Sequence, residues 1–404
     1  MMTIQQRTAA GDLLLRVLEQ LDISPTQYKQ AVERYEAVGR WLCVPGTLLA
    51  AYNPEVAPQG SFRLGTVIKP WDNSDLFDID LTVKLLTSHL QVSQWYIKTL
   101  LGQRLRENEN YKRMLDKEHH RCWRLLYAEA TQFHMDLVAA IPELPFRLQN
   151  AGVPERFRKD PMAITDNRRP DYKLLSANWP KSNMKGFAEW FVERMQFSLN
   201  LAKERYAARI GASVEKVQFF EVKTPLQRAV QLLKRHRDIM FKGDKDAPVS
   251  IIITTLAARA YNQYADDNIY DTVLNVIGEM RQHIQRKVVD GQLVYWIENP
   301  VNPDENFADK WVKVDRKRQL FFEWLDKVEL DFKSAFAKKG LNNIATELKS
   351  FLGDDIVTKA VNVLAKETNQ ARVNGSLYAS AATGILNTSG QGKQVKDHRF
   401  YGHS

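Results

Sequence analysis

Residues 77–85, FDIDLTVKL, alternate without a break. Phe77, Ile79, Leu81, Val83 and Leu85 fall on one side, and Asp78, Asp80, Thr82 and Lys84 fall on the other. Such alternation marks a half-buried β-strand, because successive side chains of a strand point to opposite faces. The strand needs a core on one side. On the other it sets two carboxylates about 6–7 Å apart along the backbone. Like charges so placed repel, and a divalent cation relieves the cost.

A second segment repeats the pattern. In residues 133–141, FHMDLVAAI, the side chains of Phe133, Met135, Leu137 and Ile141 share a face, and Asp136 lies on the other beside His134. If the two strands are neighbours, three carboxylates converge. A cluster of that kind holds two magnesium ions about 3.5–4 Å apart, the arrangement that drives in-line nucleotidyl transfer. Each piece alone is ordinarily a solvated strand face. Their combination, mid-strand and in a stretch otherwise poor in carboxylates on that face, points to a site at Asp78, Asp80 and Asp136.

Upstream lies PQGSFRLGT, residues 58–66. Gly60 permits close approach of backbone N–H groups to phosphate oxygens, and the Ser61 hydroxyl adds a donor. Arg63 and Lys69 add positive charge. A bare Gly-Ser is usually only a turn; here it precedes the acidic strand, the order a phosphoryl-transfer site requires.

The rest of the chain frames this centre. At 404 residues it has room for two or three domains, and 44% apolar with 26% charged residues is ordinary for a globular protein. Two cysteines, Cys43 and Cys122, build neither a disulfide framework nor a four-cysteine zinc site. No apolar run reaches the roughly 18 residues of a membrane span, and the N-terminus lacks the form of a signal peptide, so a cytoplasmic protein is expected. The net charge of +9 favours polyanionic partners but is spread along the chain. Helices are expected at 4–21 and, after the Ser24-Pro25-Thr26-Gln27 start, to about Leu42. A polar helix is expected near 92–110. Beyond 186, helical stripes run through 186–210, 225–242, 250–263, 267–288, 318–338 and 355–367, with Gly353 as a helix stop. In 225–242, Gln227, Gln231, Lys234 and Asp238 form a polar stripe opposite Leu226, Val230 and Leu233. Ser250 reads as the N-cap of the next helix. The sequence after 369 is polar and glycine-containing, and reads as a mobile tail.

The strings GSFRLGT, FDIDLTV, FHMDLV, WPKSNMKGFAEWF, TPLQRAVQLLKRHRD and PVSIIITTLAA together resemble the bacterial CD-NTases, a branch of the polymerase-β-like nucleotidyltransferase superfamily. These are relatives of cyclic GMP–AMP synthase and oligoadenylate synthase that make cyclic di- or trinucleotides in antiphage (CBASS) defence. The resemblance runs from about 55 to 265. It implies an α+β fold: a polymerase-β-like mixed-sheet core with N-terminal helices, packed against an oligoadenylate-synthase-like helical domain. The corresponding division is 1–50 for N-terminal helices bracing the core, 51–185 for the catalytic core, 186–368 for the helical domain and 369–404 for a flexible tail.

Carried over residue by residue, the resemblance implies that Gly60 and Ser61 hold the donor triphosphate, with Arg63 nearby. It implies that Asp78 and Asp80 ligate two Mg2+ (or Mn2+) ions, and that Asp136 ligates the catalytic ion and helps deprotonate the acceptor hydroxyl. Lys234 and Ser250 match a lysine and serine that clasp the triphosphate from the helical lobe. ATP and other nucleoside triphosphates are the expected ligands. The histidine-and-cysteine zinc insertion of the animal enzyme has no counterpart, so zinc-ribbon-type DNA sensing is not expected, nor is a membrane partner. The ending HRFYG resembles relatives joined through a terminal glycine to targets by a ubiquitin-transfer-like partner, although His403 and Ser404 follow Gly402 here. Two other readings are a nucleotidyltransferase that makes linear oligonucleotides or modifies RNA or protein, and an inactive nucleotide-binding scaffold.

Overall fold

A computed structural model describes residues 2–72, 77–127, 133–211, 213–214, 221–263, 268–380, 385–390 and 392–396. The terminal HRFYGHS, including Gly402, lies outside them.

Helices α1 (Ile4–Leu21) and α2 (Pro25–Leu42) begin where their capping residues stand. Thr3 with Gln6, and Ser24 with Gln27, form reciprocal capping boxes, and Pro25 takes the first helical position. Each cap is worth about 1 kcal/mol. Then come β1 (Glu55–Gln59), α3 (Gly60–Leu64), β2 (Phe77–Lys84), α4 (Gln94–Arg106), α5 (Glu109–Met114), β3 (Cys122–Tyr127), β4 (Phe133–Pro142), α6 (Phe146–Asn150), β5 (Met162–Ile164) and β6 (Lys181–Ser182).

The strands form one mixed sheet in the order β1-β2-β4-β5-β6, with β3 also paired to β4. β2 and β4 are parallel, and their register sets Asp80 beside Asp136 and Asp78 beside His134. The other pairings of this sheet are antiparallel. The alternation dictates what each face does. Ile79, Leu81, Val83, Met135 and Leu137 are fully buried in a core completed by Ala31, Val38 and Leu42 of α2 and by Ile97, Leu101 and Leu105 of α4. Each large side chain buried there contributes roughly 1.5–3 kcal/mol, which pins the register: a slip of one residue would turn the whole apolar set outward.

The helical half comprises α7 (Met184–Arg194), α8 (Gln196–Ile210), α9 (Pro225–Phe241), α10 (Ser250–Ala260), α11 (Ile269–Met280), then β7 (Gln285–Val289), β8 (Gln292–Trp296), β9 (Glu298–Asn299) and β10 (Asn302–Asn306), followed by α12 (Asp315–Ala337), α13 (Leu341–Leu352) and α14 (Asp354–Val373). It has its own apolar core. α1 belongs to that core, packing against α14, α11, α13 and α9, so only α2 of the two leading helices braces the sheet.

Several expected helices differ. The 186–210 stripe is two helices that meet at buried Met195. The 267–288 stripe ends at Met280, and residues 285–296 form a hairpin turned by Asp290 and Gly291, both at positive φ (50° and 77°), as a two-residue hairpin turn requires. Helix α13 has no counterpart among the expected elements, whereas Gly353 stands at its end as expected, with φ 105°. Residues 369–373, read as tail, complete α14, and among the described residues beyond them lie the two-residue strands β11 (Tyr378–Ala379), β12 (Leu386–Asn387) and β13 (Lys393–Gln394).

Candidate active site

The site grows from the outward face of β2. β1 runs antiparallel to it and ends with Gln59 opposite Asp80. The Thr82 hydroxyl donates to Gln59 Oε1 at 2.7 Å, a buried bond that ties the end of β1 to the acidic strand. Gly60 then takes φ 61° and turns the chain into α3. A Cβ on Gly60 would lie 2.2 Å from Asp80 Oδ2, so the backbone passes against the carboxylate at a distance only glycine allows. Ser61 is half-buried, and its hydroxyl has no hydrogen bond among the described residues; its carbonyl accepts from Thr66 N–H at 2.9 Å. Arg63 is half-buried and makes no ion pair among the described residues.

The segment after α3 is gripped from the helical half. Four consecutive carbonyls each accept a side-chain donor. Gln227 Nε2 reaches Leu64 O at 2.9 Å, Lys223 Nζ reaches Gly65 O at 2.7 Å, Lys234 Nζ reaches Thr66 O at 3.0 Å, and Gln231 Nε2 reaches Val67 O at 2.8 Å. Of the polar stripe read from the sequence, Gln227 and Gln231 are fully buried, Lys234 is 7% exposed and Asp238 is half-buried. Gln227 serves twice, because its Oε1 also accepts from Thr224 N–H in the capping box that starts α9.

The three aspartates share a face but keep separate partners. Arg124, opposite Asp136 on β3, donates from Nε and Nη2 to both Asp136 oxygens at 2.7 and 2.8 Å. That charged fork raises the Arg124 pKa further, although burial opposes it. Asp78 pairs with His134, which lies next to it in the register. Burial pushes the Asp78 carboxyl up, but His134, Arg124 and Lys234 outweigh it and hold the pKa below the usual value; 58% of its side chain still faces solvent. Asp80 sits between them. Burial, then the charges of Asp78 and Asp136, push it up to about 7, against the pull of His134 and Lys234. Burial likewise brings Lys234 down to about 8, with Arg237 adding repulsion. Behind Asp136, burial and that carboxylate push the Cys122 thiol up to about 12.

The structure therefore brings together Gly60, Ser61, Asp78, Asp80, Asp136 and Lys234. It does not set the trio around one point. Among the described residues no group of three or more His, Cys, Asp or Glu side chains is gathered as a metal site; Asp136 is engaged by Arg124 and Asp78 by His134. Ser250 is not the cap expected: Val249 takes that position, and Ser250 is the first residue of α10. Its hydroxyl accepts from Arg237 Nη1 at 3.3 Å, one turn beyond Lys234. Arg124 and His134 were not singled out from sequence. Arg124 is the one charged residue in CWRLLY, and its target could not be read until β3 was placed beside β4.

Residues 54–139 match the family model described as "Cyclic GMP-AMP synthase DncV-like, nucleotidyltransferase domain". Among curated proteins, the chain is 29% identical over 408 residues to the c-di-GMP synthase of Roseivirga ehrenbergii, covering 100% of both chains. It is 24% identical to the cyclic dinucleotide synthase CdnG of Bradyrhizobium diazoefficiens, covering 93% of this chain and 91% of that one. Among solved structures, that CdnG in complex with GTP superposes with a TM-score of 0.66 at 20% identity, covering 88% of this chain and 99% of the other. The CdnC of Escherichia coli MS115-1, in its complex with HORMA-deltaN, superposes with a TM-score of 0.57 at 13% identity, covering 84% and 96%. These likenesses establish the mixed α+β nucleotidyltransferase fold.

Proposed function

We propose that this chain, a nucleotidyltransferase of the DncV-like family, makes a cyclic dinucleotide from nucleoside triphosphates, GTP among them, as a second messenger of antiphage signalling. The observation that carries the reading is the β2–β4 register, which sets Asp80 beside Asp136 while the Gly60 backbone closes on Asp80. Relatives named for cyclic dinucleotide and c-di-GMP synthesis match the chain nearly end to end, which supports the product class and the choice of guanine.

A divalent cation suits the donor set. Three carboxylates are the hard oxygen ligands that magnesium and manganese prefer, and the register sets Asp80 beside Asp136, with Asp78 two residues along the same strand. Asp78, Asp80 and Asp136 would hold the cations. Each Asp136 oxygen keeps a second lone pair beyond the one Arg124 engages, so the fork orients this carboxylate without exhausting it. A bound divalent ion neutralises charge on the phosphates and on the departing pyrophosphate.

The chain's own residues do the rest. The donor triphosphate lies along Gly60 and Ser61, where the Ser61 hydroxyl donates to a phosphate oxygen. Lys234, fixed on Thr66 O, supplies buried positive charge from the helical half, and Arg237 with Ser250 extends it. The acceptor ribose hydroxyl attacks the α-phosphorus as the bond to pyrophosphate breaks, and its proton passes toward Asp136. A second transfer within the linear intermediate closes the ring and releases a second pyrophosphate. Positioning and electrostatics supply most of the acceleration.

Pyrophosphate stoichiometry tests this. Ring closure releases one pyrophosphate per triphosphate consumed, and Asp80→Asn abolishes the release. A linear dinucleotide releases half as much, and an inactive scaffold releases none; either result sinks the proposal.

A further inference from the structure

We infer that the face around the start of α4 is a self-association surface, on which a second copy of this chain docks about a two-fold axis. The inference stands apart from the function proposed above.

The face is apolar and exposed among the described residues. Leu90, just before α4, is 75% exposed, and Trp95, in its first turn, is 45% exposed. On one side the Trp95 N–H donates to Tyr172 O at 3.0 Å, which brings up Leu174 and Leu175, each 62% exposed. On the other side Tyr96 meets Tyr52, with ring centroids 6.2 Å apart and hydroxyls at 3.3 Å. The Leu86 N–H donates to Tyr52 O at 2.7 Å, and exposed Leu48 lies in the segment leading to Tyr52. Backbone bonds thus join segments distant in sequence into one patch.

Its area is that of an interface. The five leucines, Trp95 and Tyr96 together leave uncovered the equivalent of about four large side chains, on the order of 600–1,000 Å² at roughly 150–250 Å² each. The largest apolar patch of a typical monomer is about 300–600 Å². Each partner in a standard complex buries about 800 Å².

Its charge says what covers it. Segments 41–54, 85–97 and 174–180 hold no Asp, Glu, Lys or Arg, in a chain that is 26% charged. A lipid-docking face carries flanking Lys and Arg, and a face for an acidic or basic partner carries the opposite sign. A contact between identical copies differs, because the same patch meets itself and a charge near the axis would face its own like. On a chain of net charge +9, a patch bare of both signs is what self-contact favours. Trp95 and the Tyr52–Tyr96 pair supply aromatic anchors, and Gln91 and Lys173, both exposed, stand at a polar rim. Leu86 follows Asp78 by eight residues, roughly 25 Å of extended chain, so docking there leaves the aspartate cluster uncovered.

Sedimentation velocity of the full-length chain over a dilution series tests this. The sedimenting mass is expected to reach that of two chains by about 100 µM, since interfaces of this size hold at micromolar strength or tighter. Leu90→Asp with Leu174→Asp would bury unpaired carboxylates at the contact and is expected to weaken the dimer at least about 100-fold; Leu48→Asp alone is expected to weaken it at least about tenfold. Leu330→Asp, at a leucine 60% exposed on α12, is expected to change nothing. All are surface exchanges, which rarely disturb folding, and thermal melts check each variant. A parent chain that stays monomeric throughout overturns the inference, as does a dimer that survives both patch variants or one that Leu330→Asp disrupts equally. Binding of a monomeric parent chain to phosphatidylcholine vesicles, lost in the double variant, overturns it in favour of a lipid surface.

Discussion

Replacing Gly60 with alanine probes the point where the backbone meets the Asp80 carboxylate, proposed above as a cation ligand. The added methyl would stand 2.2 Å from Asp80 Oδ2, where about 3.2 Å is the ordinary limit, so Asp80 or the turn must retreat by roughly 1 Å. A misplacement of that size at a reacting centre costs about 10²-fold in rate, or about 2.7 kcal/mol of transition-state stabilisation. The left-handed φ of 61° adds about 1–2 kcal/mol of folding strain. Gly152→Ala separates the two effects: it carries the same kind of strain at φ 74°, with nothing within 4 Å of its Cβ. Initial rates of pyrophosphate release, with thermal melts of both variants, should show similar losses of stability but a loss of kcat/KM only for Gly60→Ala. A Gly60→Ala enzyme within about threefold of the parent rate would refute the close-approach argument, as would a Gly152→Ala enzyme that lost as much.

Gln231→Ala leaves the buried Val67 carbonyl without its donor, at a cost of about 1–3 kcal/mol. The expected signature is a donor KM raised about tenfold, measured by steady-state kinetics, rather than a uniform fall in active fraction. Arg124→Met removes the fork from Asp136 and should lower kcat about 10–100-fold; Arg124→Lys, which keeps the charge but not the two-pronged geometry, should fall between. His236 is 1% exposed among Trp324, Phe332 and Phe351, and burial lowers its pKa although Asp331 partly opposes this. The unfolded chain therefore takes up this proton first as pH falls below about 6.5, and stability drops from there until the folded histidine is itself protonated. Melting temperatures between pH 7.5 and 5.5 should fall, and His236→Gln should flatten the slope.

How much of this was readable in the chain depends on how local each determinant is. Two strands and their aspartates were legible because alternation is a property of neighbouring residues. Their parallel register was not, since it is chosen by a core that includes α2 and α4, far away in sequence. The Gln227–Gln231–Lys234 stripe was visible, but its targets are backbone carbonyls, which no side-chain pattern advertises. Arg124 and His134 acquire meaning only through the strand each lies against. The hairpin at 285–296 carried its own Asp290-Gly291 turn signal, yet the apolar spacing running on from α11 obscured it. Helix α13 has apolar residues at helical spacing, from Ile344 and Ala345 to Leu348, Phe351 and Leu352, and the glycines at 340 and 353 delimit it.

Mass spectrometry of the products formed from the four ribonucleoside triphosphates with magnesium tests the central claim most directly. The account predicts a phosphatase-resistant product whose mass equals two nucleoside triphosphates less two pyrophosphates, absent when Asp78 and Asp80 are both alanine. A product that phosphatase trims, or one that persists without those aspartates, would contradict it.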